Sequence, residues 1–301
     1  MLHPIYALRA KGHSAEYDFH LAHTGLLEFC GHLDGGIEHY QEAIRRMGHH
    51  LYSVSASQAG KTHFLDKTPR YYQIIPELAE IFPQARFIFL VRNPLSVLHS
   101  ILNLWVKEHW VLLGRYKHDL LTAPAKIVEG SELLKDRALT VHYEELVQDA
   151  EGVMRLVCRH LDLAYDPEMI VYGRAKELEK GMGDHTNIDR FDRPVVHSLK
   201  KWQALAQRPQ SRHFALKYLN ALGPDLLSRM GYSHGQMLAT LKEMPSGSGK
   251  VTHKWGELIS PDRALSDRLV VIELALLWHR RLVRRLHHLL MRICRCFRIR
   301  R

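Results

Sequence analysis

The chain has 301 residues, of which 46% are hydrophobic and 25% charged, a balance that indicates a globular protein and excludes a disordered or collagen-like one. Its four cysteines are too few and too unevenly spaced for a disulfide framework or a zinc site, so we expect no metal. Residues 263–301 contain eleven arginines and two acids and so carry +9 of the net charge of +10, which argues against a nucleic-acid-binding body.

Apolar residues at helical spacing predict a mainly helical segment over residues 1–60 and a helix over residues 71–82, which Pro83 ends. The apolar run over residues 86–91 then predicts a strand that is buried on both faces of a parallel sheet. A second helix is expected over residues 95–105.

A second strand is predicted at residues 138–142, before a helix over residues 144–161. Strands that alternate with helices predict an α/β fold with a mainly parallel sheet flanked by helices. Arg92 and Tyr143 each follow a predicted strand, and ligands of such sheets bind beyond the carboxyl ends of the strands. We therefore place both residues at the ligand edge.

Arg92 and Ser100 form a candidate phosphate site. Ser100 is expected about two turns into the helix after Arg92, and an arginine fork with a hydroxyl suits a phosphate. The alternative is that Arg92 pairs with a carboxylate at the sheet edge while Ser100 lies on the helix surface.

Two further segments carry cations at turns. In residues 66–70, Asp-Lys-Thr-Pro-Arg, the ammonium group of Lys67 would neutralise charge on a leaving phosphate. The alternative is an ordinary helix start capped by Asp66 or Thr68. In residues 180–184, Lys-Gly-Met-Gly-Asp, two glycines allow an anion-binding nest of amides, although a simple glycine turn has the same sequence.

Three segments of the chain resemble the sulfotransferase family that uses 3′-phosphoadenosine 5′-phosphosulfate. They are residues 64–102, with FLDKTPRYY and FIFLVRNPLSVLHSIL, residues 141–147 (VHYEELV) and residues 180–184 (KGMGD). The resemblance covers roughly residues 1–240 and implies a fold similar to that of the P-loop NTPases. It also implies this nucleotide as co-substrate and sulfuryl transfer to a hydroxyl or amine acceptor.

The resemblance implies a role for each matching residue. Arg92 and Ser100 would hold the 3′-phosphate of the donor, and Tyr143 would lie against the adenine. Lys180 and the amide of Gly181 would form a second clamp on the same phosphate.

Lys67 matches the lysine that approaches the oxygen bridging sulfate and phosphate, and we expect it to be catalytic. The family's N-terminal phosphosulfate-binding loop and the glutamate base that follows it are not found here. Cytosolic relatives take their base from a histidine two residues after the lysine, and Pro69 occupies that position. We therefore name no general base, and we expect a truncated or degenerate relative that is poorly stable or inactive.

We predict a sulfotransferase-like domain at residues 1–243, a linker at residues 244–250 and a basic amphipathic helical tail at residues 251–301. The tail would bind an anionic membrane or partner through residues 263–301, or pack back on the body. Without a signal peptide pattern, the expected localisation is cytoplasmic, with peripheral membrane association as the alternative.

Two other functions stay open. One is a non-catalytic relative that only binds the nucleotide or acts through its tail. The other is a nucleotide kinase, which would need a P-loop. Gly60-Lys61-Thr62 resembles the end of such a loop, but Ser55 stands where its first glycine should be, which argues against a kinase.

Overall fold

The computed structural model describes residues 19–171 and 193–259, and the chain divides after Ala85 into two compact units. The predicted site residues Lys180 and Gly181 and the arginine-rich tail from residue 263 onwards lie outside the described residues.

The first unit is helical, as its apolar spacing predicts. Helices α1 and α2 are followed by a 3-10 turn and a short helix α3, at Phe19–Gly31, Ile37–Gln58, Tyr71–Gln73 and Ile75–Ile81. The prediction of one continuous helix over residues 71–82 is therefore wrong, because a 3-10 turn and a separate α-helix occupy this range. Pro76 lies in the first turn of α3, where its missing N–H breaks no hydrogen bond of the helix. Its ring would clash with a helical turn before it, so the helix does not extend further back and Ile74 has non-helical backbone angles.

Helix α2 holds the end of α3 in two ways. Arg45 of α2 donates hydrogen bonds to the carbonyl oxygens of Glu80 and Ile81, at 3.0 and 2.6 Å, and so satisfies the unpaired carbonyls of the α3 C-terminus. Phe82 packs against Gly48, where a Cβ atom would lie 2.7 Å from the ring. Helices α2 and α3 are therefore packed against each other within this unit.

The second unit contains a two-stranded parallel sheet. Strands β1 (Phe87–Val91) and β2 (Ala138–His142) pair in register, with Phe87 opposite Ala138 and Val91 opposite His142. The two predicted strands are confirmed, β2 at its predicted bounds and β1 one residue shorter.

The two strands bury side chains on opposite faces of the sheet. Val91 of β1 packs with Val128 and Met230, whereas Val141 of β2 faces the opposite side and packs with Val153 and its neighbours. In β1, Ile88 and Leu90 remain 36% and 55% exposed. The prediction that residues 86–91 are buried on both faces is therefore wrong, because the residues that bury Val141 on that face leave Ile88 and Leu90 of β1 partly exposed.

Eight helices of the second unit surround this sheet and its core in the described ranges. They are α4 (Pro94–Ile101), α5 (Ala123–Leu134), α6 (Tyr143–Gln148), α7 (Ala150–Leu161), α8 (Ala204–Gln207), α9 (Pro209–Arg229), α10 (His234–Glu243) and α11 (Trp255–Leu258). None of the described helices is long and apolar enough to cross a membrane.

Two predicted helices of this unit have different bounds in the structure. The helix expected over residues 95–105 is α-helical only to Ile101 and continues as a π-helical turn, Leu102–Val106. The helix expected over residues 144–161 is divided at Asp149. The carboxylate of Asp149 accepts a hydrogen bond from the Gly152 amide at 2.9 Å and so starts α7 as its N-cap.

The main core of the second unit lies between α4 and α9. Leu95 and Leu98 of α4 are fully buried, as is Phe214 of α9. Trp255 packs on Phe214 with ring centroids 5.9 Å apart, and the Gly247 amide donates to the Gln207 carbonyl at 2.8 Å. As far as residue 259, the chain after the predicted linker therefore packs on this core, and the predicted domain boundary stays a prediction.

Candidate active site

The carboxyl ends of the two strands bring Arg92 and Tyr143 together. Both strands end level, because Val91 pairs with His142, and the next residue of each chain segment leaves the sheet at the same edge. The guanidinium carbon of Arg92 lies 4.1 Å from the centroid of the Tyr143 ring. A cation over an aromatic face is attracted by the ring, so this contact helps to hold the guanidinium in place.

The guanidinium of Arg92 retains unused hydrogen-bonding capacity. Its Nε atom is buried and has no hydrogen-bond partner. A buried charged donor without a partner is costly unless a ligand satisfies it. The arrangement therefore favours an anion with several oxygens, which accepts hydrogen bonds from an arginine fork.

Glu144 fixes the loop that carries Arg92. One of its carboxylate oxygens accepts a hydrogen bond from the backbone N–H of Asn93, and the other accepts from the Tyr232 hydroxyl, both at 2.9 Å. Burial first, and then this carboxylate, raises the pKa of Tyr232, so its hydroxyl stays protonated and continues to donate. Asn93 in turn caps α4, because its side-chain oxygen accepts from the Leu95 amide at 2.9 Å.

Lys201 adds positive charge to this edge and lies near His99. Burial, together with the nearby charges of Lys201 and Arg92, lowers the pKa of His99. Lys201 begins a 3-10 turn, Lys201–Gln203, and its side chain is exposed. The charges of Arg92 and Lys201 therefore both influence His99 at this edge of the sheet.

Ser198 completes the surroundings of Tyr143. Its hydroxyl oxygen lies 3.0 Å from the Tyr143 hydroxyl, and the two groups form a hydrogen bond. One face of the tyrosine ring is covered by Arg92 and its polar end is fixed by Ser198. The ring is thus held in one orientation before any ligand arrives.

Ser100 lies half-buried in the last turn of α4, one residue after His99. Its convergence with Arg92 on one phosphate stays a prediction. Sequence reasoning missed Ser198 and Lys201, which lie over 50 residues after Tyr143. The Lys200-Lys201-Trp202 triplet is the available local signal, and a lysine pair alone does not distinguish a site from a solvated surface.

Lys67 belongs to the first unit and is exposed. It lies in a segment without regular structure between α2 and Tyr71, and not in a helix. The neighbouring Thr68 hydroxyl donates a 2.9 Å hydrogen bond to the Asp66 carboxylate. The predicted alternative, an ordinary helix start capped by Asp66 or Thr68, does not describe this segment.

The residues at the sheet edge can bind an anion and an aromatic group together. Arg92, His99 and Lys201 are cationic or protonatable side chains of this edge. The carboxylate of Glu144 is already engaged by two donors. In the described ranges, no three histidine, cysteine or acidic side chains group as a metal site requires. A nucleotide bearing a phosphate matches this combination of charge and ring.

The chain is similar to known sulfotransferases. The model of a sulfotransferase family matches residues 14–167, which is just over half of the 301 residues. Protein-tyrosine sulfotransferase 1 of Danio rerio is 28% identical over 56% of this chain and 48% of its own. Nodulation protein NoeE of Sinorhizobium fredii is 29% identical over 60% of this chain and 47% of its own.

A third relative is the omega-hydroxy-beta-dihydromenaquinone-9 sulfotransferase Stf3 of Mycobacterium bovis, which is 32% identical over 32% of this chain and 28% of its own. The chain spans about half the length of the first two relatives and less of the third. The match of the family model includes both strands and the residues Lys67, Arg92, Ser100 and Tyr143. This chain belongs to the sulfotransferase family.

Proposed function

We propose that this chain binds 3′-phosphoadenosine 5′-phosphosulfate and transfers its sulfuryl group to a hydroxyl or amine of an acceptor. The stacked pair of Arg92 and Tyr143 carries the proposal, because it combines a phosphate-binding fork with an aromatic ring at the ligand edge of a parallel sheet. Membership in the sulfotransferase family supports the choice of donor.

Arg92 would bind the 3′-phosphate of the donor, with Ser100 as a hydroxyl partner. The unpaired Nε of Arg92 supports this role, since a phosphate oxygen would satisfy it. Lys201 adds a positive charge near His99 and suits the same anion. Tyr143 would contact the adenine, and Lys180 and Gly181 would complete the clamp as the family resemblance implies.

Lys67 would assist the transfer itself. In the reaction, the acceptor atom attacks sulfur, the bond from sulfur to the bridging oxygen breaks, and its electron pair remains on the phosphate of adenosine 3′,5′-bisphosphate. An ammonium group near that oxygen stabilises the developing negative charge. The acceptor proton leaves to a base that we do not assign.

A binding measurement tests the donor site. Adenosine 3′,5′-bisphosphate should raise the melting temperature of the chain, while adenosine 2′,5′-bisphosphate, a matched isomer, should do so far less because its phosphate lies at the wrong hydroxyl. ATP tests the kinase alternative. Equal stabilisation by the two isomers, or stronger stabilisation by ATP, would overturn the proposed 3′-phosphate site.

A transfer assay with sulfur-labelled donor tests the activity. The relatives' names indicate a tyrosine residue and a terminal hydroxyl of a lipid as acceptors, so a tyrosine peptide and a long-chain primary alcohol form the first panel. Labelled product from either one supports the proposal. Binding of the bisphosphate without any transfer across phenols, alcohols and amines would favour the non-catalytic alternative.

We also propose that residues 263–301 bind an anionic surface at a cytoplasmic membrane. Their eleven arginines are interspersed with leucine, isoleucine and valine, a composition that suits the interface of a membrane with acidic headgroups. The full chain should sediment with phosphatidylserine vesicles more than with phosphatidylcholine vesicles, and a chain ending at residue 259 should lose this difference. Equal sedimentation of both chains would contradict the proposal.

A further inference from the structure

Asp66, the residue before Lys67, accepts hydrogen bonds from three hydroxyl groups. One carboxylate oxygen accepts from Thr68 at 2.9 Å. The other accepts from Tyr52 at 2.6 Å and from Tyr71 at 2.5 Å. These donors come from α2, from the loop itself and from the 3-10 turn that follows it, so one carboxylate connects three parts of the first unit.

Tyr52 also contacts two other aromatic rings. Phe64, two residues before Asp66, stacks on the Tyr52 ring with centroids 4.3 Å apart and an interplanar angle of 11°. Phe82, at the end of α3, lies 6.1 Å from the same ring. The loop is therefore attached to α2 at two points, an aromatic stack at Phe64 and a hydrogen bond at Asp66, just before Lys67.

Asp66 is poorly suited to act as the missing general base. Burial alone would raise the pKa of its carboxyl group, but the hydrogen bonds from Tyr52, Tyr71 and Thr68 outweigh this and lower the pKa. Both oxygens are occupied by donors, and the low pKa makes the carboxylate a weak proton acceptor. The geometry fits a structural anchor for the loop instead.

We propose that Asp66, held by Tyr52 and Tyr71, is a positioning residue that fixes the loop carrying Lys67 for sulfuryl transfer. This inference rests on the proposed function, because it assigns Asp66 a role only if Lys67 acts on the donor. Charge-assisted hydrogen bonds are short and strong, and three of them define the direction of the carboxylate and thus of the adjoining backbone. A free ammonium on an exposed loop would otherwise sample many positions.

The sharpest variants remove single hydroxyl groups and leave the aromatic packing intact. Tyr52→Phe and Tyr71→Phe should each lower kcat several-fold, and the double variant about tenfold or more, because the loop loses its tethers. The KM for the donor and the affinity for adenosine 3′,5′-bisphosphate should change little. Tyr40→Phe, on the same helix α2 but outside this cluster, is the matched control and should leave kcat unchanged.

A measurement independent of activity follows the loop directly. Lys67 and Arg70 are exposed trypsin sites within it, so loosening the loop should speed cleavage after both residues relative to sites elsewhere in the chain. Asp66→Ala should show the largest acceleration. Asp66→Asn keeps one acceptor oxygen and should recover part of the protection and of kcat, a graded rescue that a merely destabilised chain would not show.

The outcomes separate this inference from the proposed function. If Lys67→Ala abolishes transfer while the tyrosine variants keep the wild-type kcat and cleavage rate, the function stands and the positioning role is wrong. If Lys67→Ala has no effect on measurable transfer, the proposed role of Lys67 fails first. If the tyrosine variants cleave faster after Lys67 and lose kcat at constant KM, with Tyr40→Phe unaffected, the positioning role is supported.

Discussion

The Arg92 region and the Lys67 region are each assigned a role in the proposed function, yet they are built in different ways. Arg92 follows a strand, is stacked on Tyr143 and is held by a loop that Glu144 and the α4 N-cap fix. Lys67 is exposed on a segment without regular structure. One region is ordered by its secondary structure, whereas the other is held by the hydrogen bonds of Asp66 and by the stack of Phe64 on Tyr52.

This difference matches two different tasks. Binding a phosphate requires donors that keep their geometry without ligand, since each freedom lost on binding lowers affinity. Transfer requires a positive charge near the oxygen that becomes negative in the transition state, and in the proposed function Lys67 on its tethered loop would supply it. We therefore expect variants of the two regions to separate binding from turnover.

The largest expected effect comes from Lys67→Ala. Removing one group that stabilises charge in a transition state typically lowers kcat by about 100- to 1000-fold, and we expect a loss of this order here. The affinity for adenosine 3′,5′-bisphosphate should change little, as measured by calorimetry. Lys61→Ala removes another exposed lysine of the same unit and serves as the control. A strong loss of bisphosphate binding in Lys67→Ala would remove the contrast between the regions.

Arg92→Ala should produce the reverse pattern. Hydrogen bonds to charged groups contribute about 1.5–3 kcal/mol, so the affinity for adenosine 3′,5′-bisphosphate should fall about 10- to 100-fold. Arg92→Lys should recover only part of this, because lysine keeps the charge but loses the planar fork. Affinity is measured by titration calorimetry.

A second stacked arginine provides the control for Arg92. Arg155 lies 4.2 Å from the Tyr165 ring, nearly the same stacking distance, but on helix α7. Arg155→Ala should leave bisphosphate affinity unchanged. If both alanine variants weaken binding equally, loss of a stacked arginine is a general destabilisation and Arg92 is not a phosphate ligand.

The regular elements around Arg92 could be predicted from sequence because local pattern decides them. A short apolar run followed by Arg-Asn-Pro predicts a strand and then a helix, and the structure has both. Tyr143 could be placed at the same edge because parallel strands end together. The exposure of Ile88 and Leu90 could not be predicted, since it depends on which strand each covering layer reaches.

The tertiary partners of the site were not predictable in this way. Ser198 and Lys201 reach the site through the packing of the 3-10 turns around them, and no periodicity marks such residues in advance. The tether of Asp66 to Tyr52 likewise joins residues 14 positions apart across a helix end. Local sequence identified Asp66 only as a candidate cap, because a cap and a tether use the same carboxylate chemistry.

Ser198→Ala tests how much the fixed orientation of Tyr143 contributes to binding. A neutral hydrogen bond contributes about 1 kcal/mol, so losing the 3.0 Å bond to Tyr143 should weaken bisphosphate affinity by about fivefold or less. Tyr143→Phe should have a similar effect, and the double variant should add little to either single one. Additive losses in calorimetry would show that the two hydroxyls act separately, and that Tyr143 is not held by Ser198.

The smallest expected effect is a change in how stability depends on pH. Burial and two neighbouring cations lower the pKa of His99 below its ordinary value of 6.5. Below pH 6.5, His99 therefore binds a proton in the unfolded chain while it stays neutral in the folded chain. Acidification favours unfolding until His99 is protonated in the folded chain as well. His99→Gln should flatten the fall in unfolding free energy from about pH 6.5 downwards, measured by urea denaturation. His118→Gln, at an exposed histidine, controls for the loss of an imidazole. An unchanged slope in His99→Gln would mean that the surroundings of His99 do not disfavour a further positive charge.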